Sequence, residues 1–257
     1  MGSVLVAFSG GVDSTYLALV ATQELGENAR CVLGISPSVS QFQRDAAISS
    51  ARKFEFNFEI IETSELDDEN YRANPTNRCY FCKSELYTKL RSLAGERYID
   101  YIIDGTNADD LGGHRPGHAA ASENGVRSPL AELGFSKDEI RQLSREQGIE
   151  GWEKPSSPCL SSRIAYGVPV TIKRLSMVER GEDFLRVLGF REFRVRVHGD
   201  LARLEISPAE LSRAFDPVTM SRITDELQKI GFQYVTLDLQ GFRSGSMNEA
   251  LETVSIN

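Results

Sequence analysis

No apolar run in this 257-residue chain approaches the ~20 residues that a membrane-crossing helix needs, and no basic stretch followed by an apolar one stands at its start. Neither insertion into a membrane nor a targeting segment is expected, and the expected compartment is the cytoplasm. Positive charge is also in deficit: 29 Lys and Arg against 37 Asp and Glu give a net charge of −8. A broadly basic nucleic-acid-binding face is therefore not expected, although a local basic patch is still open. Internal repeats and low-complexity tracts are absent. The four cysteines, Cys31, Cys79, Cys82 and Cys159, are expected to be reduced in the cytoplasm, so unusual spacing among them points to metal or chemistry before disulfides. What remains is ordinary for a globular protein, with 40% apolar and 26% charged residues, in a chain long enough for one large or two unequal domains.

The most informative stretch runs from Val4 to Thr15. An apolar run delivers the chain to Ser9, Gly10 and Gly11 permit a tight turn, and an amphipathic segment follows, with a helix expected to start near Asp13 or Ser14. A helix starting there aims unpaired N–H groups at an anion, which makes a phosphate nest. No Lys-Ser/Thr pair follows the glycines, so this is not a Walker loop.

Downstream, Cys31–Ile35 and Phe56–Ile61 read as short strands separated by a helix from Gln41 to Phe54, and Tyr101–Asp104 reads as a further strand. Strands alternating with helices imply an α/β fold with a parallel sheet and right-handed crossovers. Ligands of such sheets bind outside the carboxyl ends of the strands, so Ser36 is a candidate adenosine contact. At the end of the Tyr101 strand, Gly105 lets backbone approach a ligand next to Thr106. Asp109 and Asp110 are candidate Mg²⁺ ligands, and Arg115 adds a cation close behind them. Cys31, inside a strand, reads as a small buried hydrophobe. Cys79-x-x-Cys82 lies in a loop expected to lead into a helix ending near Leu93. By spacing alone, metal binding, redox chemistry and incidental packing all remain open there. Ser136-x-x-Glu139 reads as a capping box that opens another helix.

Residues 149–170 form a long irregular stretch in which Cys159 stands among hydroxyls, Lys154 and Arg163, a setting that favours a reactive thiol. The pattern then changes. Thr171–Leu188 reads as a helix with Ile172, Leu175, Val178, Leu185 and Leu188 on its inner stripe. Phe193–His198 and Ala202–Ile206 alternate with period two about a Gly199-Asp200 turn, and a helix at 217–230 and a strand at 234–239 complete a small α+β unit. Arg194 and Arg196 share one strand face, with Glu205 on the partner strand. The expected organisation is a nucleotide domain over 1–150, a functional loop over 151–170 and a C-terminal α+β domain over 171–257.

Ser9-Gly-Gly-Val-Asp-Ser14 resembles the pyrophosphate loop of the N-type ATP pyrophosphatases (PP-loop superfamily). Asn77-Arg-Cys-Tyr-Phe-Cys-Lys83, Asp104–Asp110, Pro158–Gly167 and Val235–Asn248 together resemble the LarE family of sulfur-insertion enzymes in nickel-pincer nucleotide synthesis. The resemblance covers nearly the whole chain. It implies that ATP, with Mg²⁺, adenylates a carboxylate of a pyridinium biscarboxylic acid mononucleotide and that sulfur then replaces oxygen. It implies nucleotide contacts at Ser9, Gly10, Gly11, Asp13, Ser14, Ser36, Gly105, Thr106 and Arg115, and catalytic roles for Asp13, Cys159 and Arg163. Sulfur in this family comes either from a sacrificed cysteine or from a [4Fe–4S] cluster on three cysteines. The presence of Cys79 and Cys82 beside Cys159 favours the cluster. Arg194, Arg196 and Glu205 match charged positions expected to meet substrate. A small-molecule nucleotide partner, no nucleic acid and a homo-oligomer are further implications. The competing readings are a transfer-RNA thiolase with the same loop and cluster, and a non-catalytic ATP-binding module.

Overall fold

The computed structural model describes residues 1–112, 116–153, 157–243 and 245–247. Its contacts divide the chain into two units, Met1–Tyr71 with Pro75–Ser157, and Arg72–Asn74 with the residues from Pro158 onward. Arg115 and Lys154 lie outside the described residues.

The first unit is built on a parallel sheet of β1 (Val4–Phe8), β2 (Ala29–Ile35), β3 (Asn57–Glu62) and β4 (Tyr101–Asp104), in the order β3-β2-β1-β4. The central strands β2 and β1 are apolar apart from Arg30 because both faces are covered. Val4, Val6 and Phe8 point to the face packed by α1 (Val12–Leu25) and α2 (Gln41–Lys53), through Leu17, Ala18, Ala47 and Ala51. Leu5, Val32 and Ile102 point the other way, against Tyr87, Leu90 and Ala94 of α3 (Arg78–Glu96) and Ala120 and Ala121 of α4 (Gly117–Glu123). Cys31 is fully buried in this sheet, and burial pushes its thiol up to about 12, as expected of a packing residue. The order of strands reverses between β1 and β4. Their carboxyl ends therefore frame the crevice where a doubly wound sheet takes its ligand, and the turns at Ser9 and Gly105 lie at its mouth.

One element differs from its sequence reading in a way that matters. The Asn74–Lys83 stretch is not loop throughout: α3 begins at Arg78, so Cys79 and Cys82 stand one turn apart on its first turn. The expected capping box is present: Ser136 Oγ accepts from Glu139 N at 3.3 Å, and Glu139 Oε2 accepts from Ser136 N at 2.8 Å. It opens α5 (Lys137–Glu146).

In the second unit, β5 (Phe193–His198) and β6 (Leu201–Ile206) are antiparallel about the Gly199-Asp200 turn, where Gly199 takes φ 64°. β7 (Tyr234–Leu237) adds parallel to β6. α6 (Ile172–Val187) and α7 (Pro217–Ile230) cover the sheet with Leu175, Val178, Leu185 and Leu227. Ile172, expected on the inner stripe, is 66% exposed. It is the first residue of α6, and the buried stripe begins one turn later at Leu175.

Candidate active site

β1 delivers the chain to a tight turn. Gly10 takes φ +74°, and a Cβ there would stand 2.6 Å from Ala47 Cβ, so both the backbone conformation and the space require glycine. Ser14 Oγ donates to Gly11 O at 3.0 Å, accepts from Ser9 N at 3.2 Å and lies 3.0 Å from Ser9 Oγ. These bonds close the turn on itself. Gly11 caps α1 with no side-chain hydrogen bond, which leaves the amides of the first turn for an anion. Gly105, after β4, presses on the same point: a Cβ there would lie 2.7 Å from Ser14 N.

Asp13, in the first turn of α1, is ion-paired to Lys137 at the start of α5. Its other oxygen, Oδ1, is buried and has no hydrogen-bond partner among the described residues. Burial holds the Asp13 carboxyl above the usual carboxylate range and the Asp110 charge pushes the same way, against the pull of Lys137 and Arg141. The two acids expected to bind Mg²⁺ are engaged with backbone: Asp109 Oδ2 accepts from Lys137 N at 2.7 Å, and Asp110 closes a capping box with Asn107. Asp13, with its unpartnered oxygen, is the carboxylate of this cluster that fits a cation.

Ser36 closes β2, as expected. Its hydroxyl donates to Glu65 Oε1 at 2.5 Å and its carbonyl accepts from Arg44 at 2.5 Å. Behind β4 runs a buried polar chain. Tyr87 Oη donates to Asp104 Oδ2 at 2.7 Å, while Asp104 Oδ1 accepts from Ser128 Oγ at 2.7 Å and Thr106 N at 3.2 Å. Lys83 Nζ sits 5.2 Å from the centre of the Tyr87 ring. Burial alone would push the Lys83 ammonium down, but Tyr87, Asp104 and Cys82 hold it above the usual lysine range. This chain ties the turn bearing Cys79 and Cys82 to the strand end bearing Gly105. Cys79 is exposed and Cys82 half-buried, and residues three apart on a helix share a face, so the pair fits a chelating thiolate set. Within neither unit do three His, Cys, Asp or Glu side chains gather in a metal-holding group among the described residues.

In the second unit, Cys159 is half-buried and precedes a short helical turn at Leu160–Arg163. Arg163 engages the backbone of this segment. Its guanidinium donates to the carbonyls of Pro158 at 2.5 Å and Cys159 at 3.2 Å, gripping the backbone on both sides of the thiol's Cα. Glu182 anchors that guanidinium at 2.9 Å, both side chains being 3% exposed. Beside this pair, Arg196 meets Glu205 at 2.8 Å and donates to Ser162 O at 3.1 Å, and Arg203 meets Glu205 at 3.0 Å. Arg194 lies over the Phe242 ring. Burial pushes it down to about 10, with Arg163 and Arg196 adding to the effect against Glu182 and Glu205. The arginines of this cluster outnumber its carboxylates, Glu182, Glu205 and Asp238, in partly desolvated surroundings, a setting that suits an anionic ligand.

Each unit thus gathers its own part of the expected site: Ser9, Gly10, Gly11, Asp13, Ser14, Gly105 and Thr106 in the first, Cys159, Arg163, Arg194, Arg196 and Glu205 in the second. Sequence reasoning missed Lys137, Arg141, Lys83 and Glu182. Lys137 was hidden inside its capping box. Glu182 carried a signal, since it falls on the same helical stripe as Leu175, Val178 and Leu185.

A pyrophosphate-type loop at the reversal point of a parallel sheet makes this an α/β protein of the PP-loop class. No protein-family model matches the chain. It is 46% identical over 247 residues to an uncharacterized protein of Synechocystis sp., covering 96% of this chain and 92% of that one. It is 38% identical over 249 residues to the pyridinium-3,5-bisthiocarboxylic acid mononucleotide synthase of Lactiplantibacillus plantarum, covering 96% of this chain and 90% of the relative. One component of the glutamine-hydrolyzing GMP synthase of Thermoplasma acidophilum is 26% identical over 195 residues, 70% of this chain and 62% of the relative. The chain belongs to the LarE family of thiocarboxylate-forming enzymes. No helix among the described residues is long and apolar enough to cross a membrane.

Proposed function

We propose that this enzyme uses ATP to replace oxygen with sulfur on the carboxylates of a pyridinium biscarboxylic acid mononucleotide. The observation that carries the reading is the Ser9–Ser14 nest, closed by its own serines and pressed by Gly105, in a chain 38% identical to a synthase of the corresponding bisthiocarboxylic acid mononucleotide. A carboxylate resists nucleophilic attack. Transfer of AMP from ATP to one carboxylate oxygen releases pyrophosphate and makes the carbon an acyl adenylate, from which AMP leaves with that oxygen when a sulfur nucleophile attacks. The first-turn amides of α1 hold the pyrophosphate end, and Asp13 is the residue that would hold Mg²⁺, which would offset the phosphate charge. Ser36, Gly105 and Thr106 line the nucleoside side, with Arg115 as a further cation of the loop. The arginine cluster around Glu182 and Glu205, Arg194 and Arg196 among it, takes the substrate's phosphate and carboxylates.

Cys79, Cys82 and Cys159 are the residues that would hold a [4Fe–4S] cluster. Such a cluster would supply the sulfide that replaces the carboxylate oxygen. Arg163 fixes the backbone of Cys159 so that this thiol is presented in one position, whether it ligates the cluster or is itself the sulfur source. The enzyme is proposed to act in the cytoplasm, as a homo-oligomer, on a small nucleotide and not on nucleic acid.

Pyrophosphate release by anaerobically prepared protein tests this reading. Release should require both ATP and the pyridinium nucleotide. Release that depends instead on transfer RNA, or that ignores both substrates, would overturn it.

A further inference from the structure

Asn74 is fully buried, takes φ 55° and stands directly before Pro75. A left-handed conformation costs any residue with a side chain, and a following proline pushes its neighbour toward extended backbone, so this position is strained. Hydrogen bonds within the second unit offset that strain. Asn74 Nδ2 donates to the carbonyls of Ala165 and Val168, both at 2.8 Å, and lies 3.3 Å from that of Ile164. The Asn74 carbonyl accepts from Gly167 N at 3.0 Å, and the Arg72 carbonyl from Val170 N at 2.9 Å. Glycine would serve the turn alone; only the side-chain amide reaches those carbonyls. The clamped stretch continues directly from Cys159. Ile164 bridges Val197 on β5, and from there the helical turn Leu160–Arg163 runs back to Cys159, whose carbonyl accepts from Ser162 N at 3.0 Å and Ser162 Oγ at 2.7 Å. In the other direction, only Pro75 to Arg78 separate Asn74 from Cys79. Arg72–Asn74 is thus a short piece of chain that joins the second unit between two stretches of the first, fastens the loop of one thiol and leads on to the helix of the other two.

We propose that Asn74 is a positioning residue of the three-cysteine iron site: its amide clamp on residues 164–168 sets the conformation of the Cys159 loop before metal binds. The proposal rests on the cluster reading above and assigns the residue that lets thiolates from distant parts of the sequence act as one set. Asn74 touches neither iron nor substrate and works through the backbone it holds. With the clamp in place, the loop after Cys159 is ordered when the chain folds. Without it, metal binding has to order that loop, and the conformational entropy lost at that moment is subtracted from the affinity.

The test is anaerobic titration of the intact, metal-free protein with ferrous iron and sulfide, read by bound iron and by the visible absorption of the cluster. N74G keeps the backbone conformation and removes the clamp, and N74D keeps the shape but sets an acceptor against the carbonyls. Both should weaken iron uptake about 10- to 100-fold, the range typical of residues that orient metal ligands. Magnesium ATP affinity, read by calorimetry, should stay that of the wild type, since the nest lies in the first unit. I223A is the stability control, because Ile223 is 4% exposed in α7 and its truncation leaves a cavity in another element of the second unit. It should unfold at lower urea concentration, as N74G does, and yet take up iron like the wild type. Wild-type iron affinity in N74G, or an equal loss in I223A, would overturn the proposal and leave Asn74 a purely structural clamp. If the wild type takes up no iron, or C79A/C82A takes it up equally well, the three-cysteine reading fails, and the proposal with it.

Discussion

Replacing Gly105 by alanine probes the joint between β4 and the pyrophosphate loop. The added Cβ would stand 2.7 Å from Ser14 N, 2.9 Å from Ser14 Cα and 3.1 Å from Asp13 C, all of them backbone atoms that cannot rotate away. Gly105 is not in the left-handed region, so backbone strain contributes nothing and the effect is steric. Ordinary contact begins near 3.4 Å, so the first turn of α1 must retreat by about 0.7 Å. Overpacking of this kind costs about 1–3 kcal/mol. Because it falls on the amides that face the phosphate, magnesium ATP binding should weaken about 5- to 150-fold. Calorimetry on G105A measures this directly, and thermal unfolding shows whether the fold is otherwise kept. Gly95, in the last turn of α3, is the control: a Cβ there meets nothing within 4 Å. G95A should gain about 0.5–1 kcal/mol of stability and bind ATP like the wild type. Wild-type ATP affinity in G105A would refute the claim that this glycine shapes the nest.

The Arg163–Glu182 pair gives a stability prediction: R163M leaves the buried Glu182 carboxylate only Arg186 at 3.6 Å and Val195 N at 3.4 Å, and should destabilise the C-terminal unit by about 3 kcal/mol in urea unfolding, whereas E182Q/R163M should recover much of the loss. Asp13 gives a pH dependence. Its carboxyl lies above the usual 3.8, so on acidification it takes up a proton while an ordinary aspartate is still ionised. Magnesium ATP affinity should therefore fall with pH through that raised value, and D13N should bind weakly with a flat profile over the same window. The cysteines separate the two sulfur routes: C79A/C82A should abolish both iron binding and turnover if three thiolates hold a cluster, and should leave a single turnover intact if Cys159 alone supplies sulfur.

The parts of the fold that repeat a local rule were legible in the sequence. The β1 run, the glycine pair and the amphipathic α1 predict a strand, a turn and a helix, and the alternation in 193–206 predicts the hairpin with its two-residue turn. Contacts between distant segments were not legible. Lys137 reads locally as a member of a capping box, and only the fold brings it to Asp13, 124 positions earlier in the chain. Asp109 and Asp110 look like metal ligands from composition alone, yet both accept from backbone amides: Asp110 closes a local capping box with Asn107, and Asp109 reaches Lys137 N, 28 positions on. Strand alternation placed Arg194, Arg196 and Glu205 on facing strands and the family resemblance marked them as site residues, but their burial was not legible, since charged strand faces are usually solvated. Glu205 is fully buried and Arg196 5% exposed because Ser246 and the backbone of Ser162 close over them. Helical periodicity could have shown Glu182 on an apolar stripe, where a buried acid signals a buried partner.

The measurement that bears most directly on sulfur insertion is mass spectrometry of both nucleotide and protein after anaerobic turnover with ATP, Mg²⁺ and the pyridinium biscarboxylic acid mononucleotide. The expected result is a nucleotide in which sulfur replaces a carboxylate oxygen, AMP and pyrophosphate in equal amounts, and a protein of unchanged mass over repeated turnovers. Loss of the elements of H₂S from Cys159 would contradict the cluster route, and a nucleotide recovered without sulfur while ATP is consumed would contradict sulfur insertion itself.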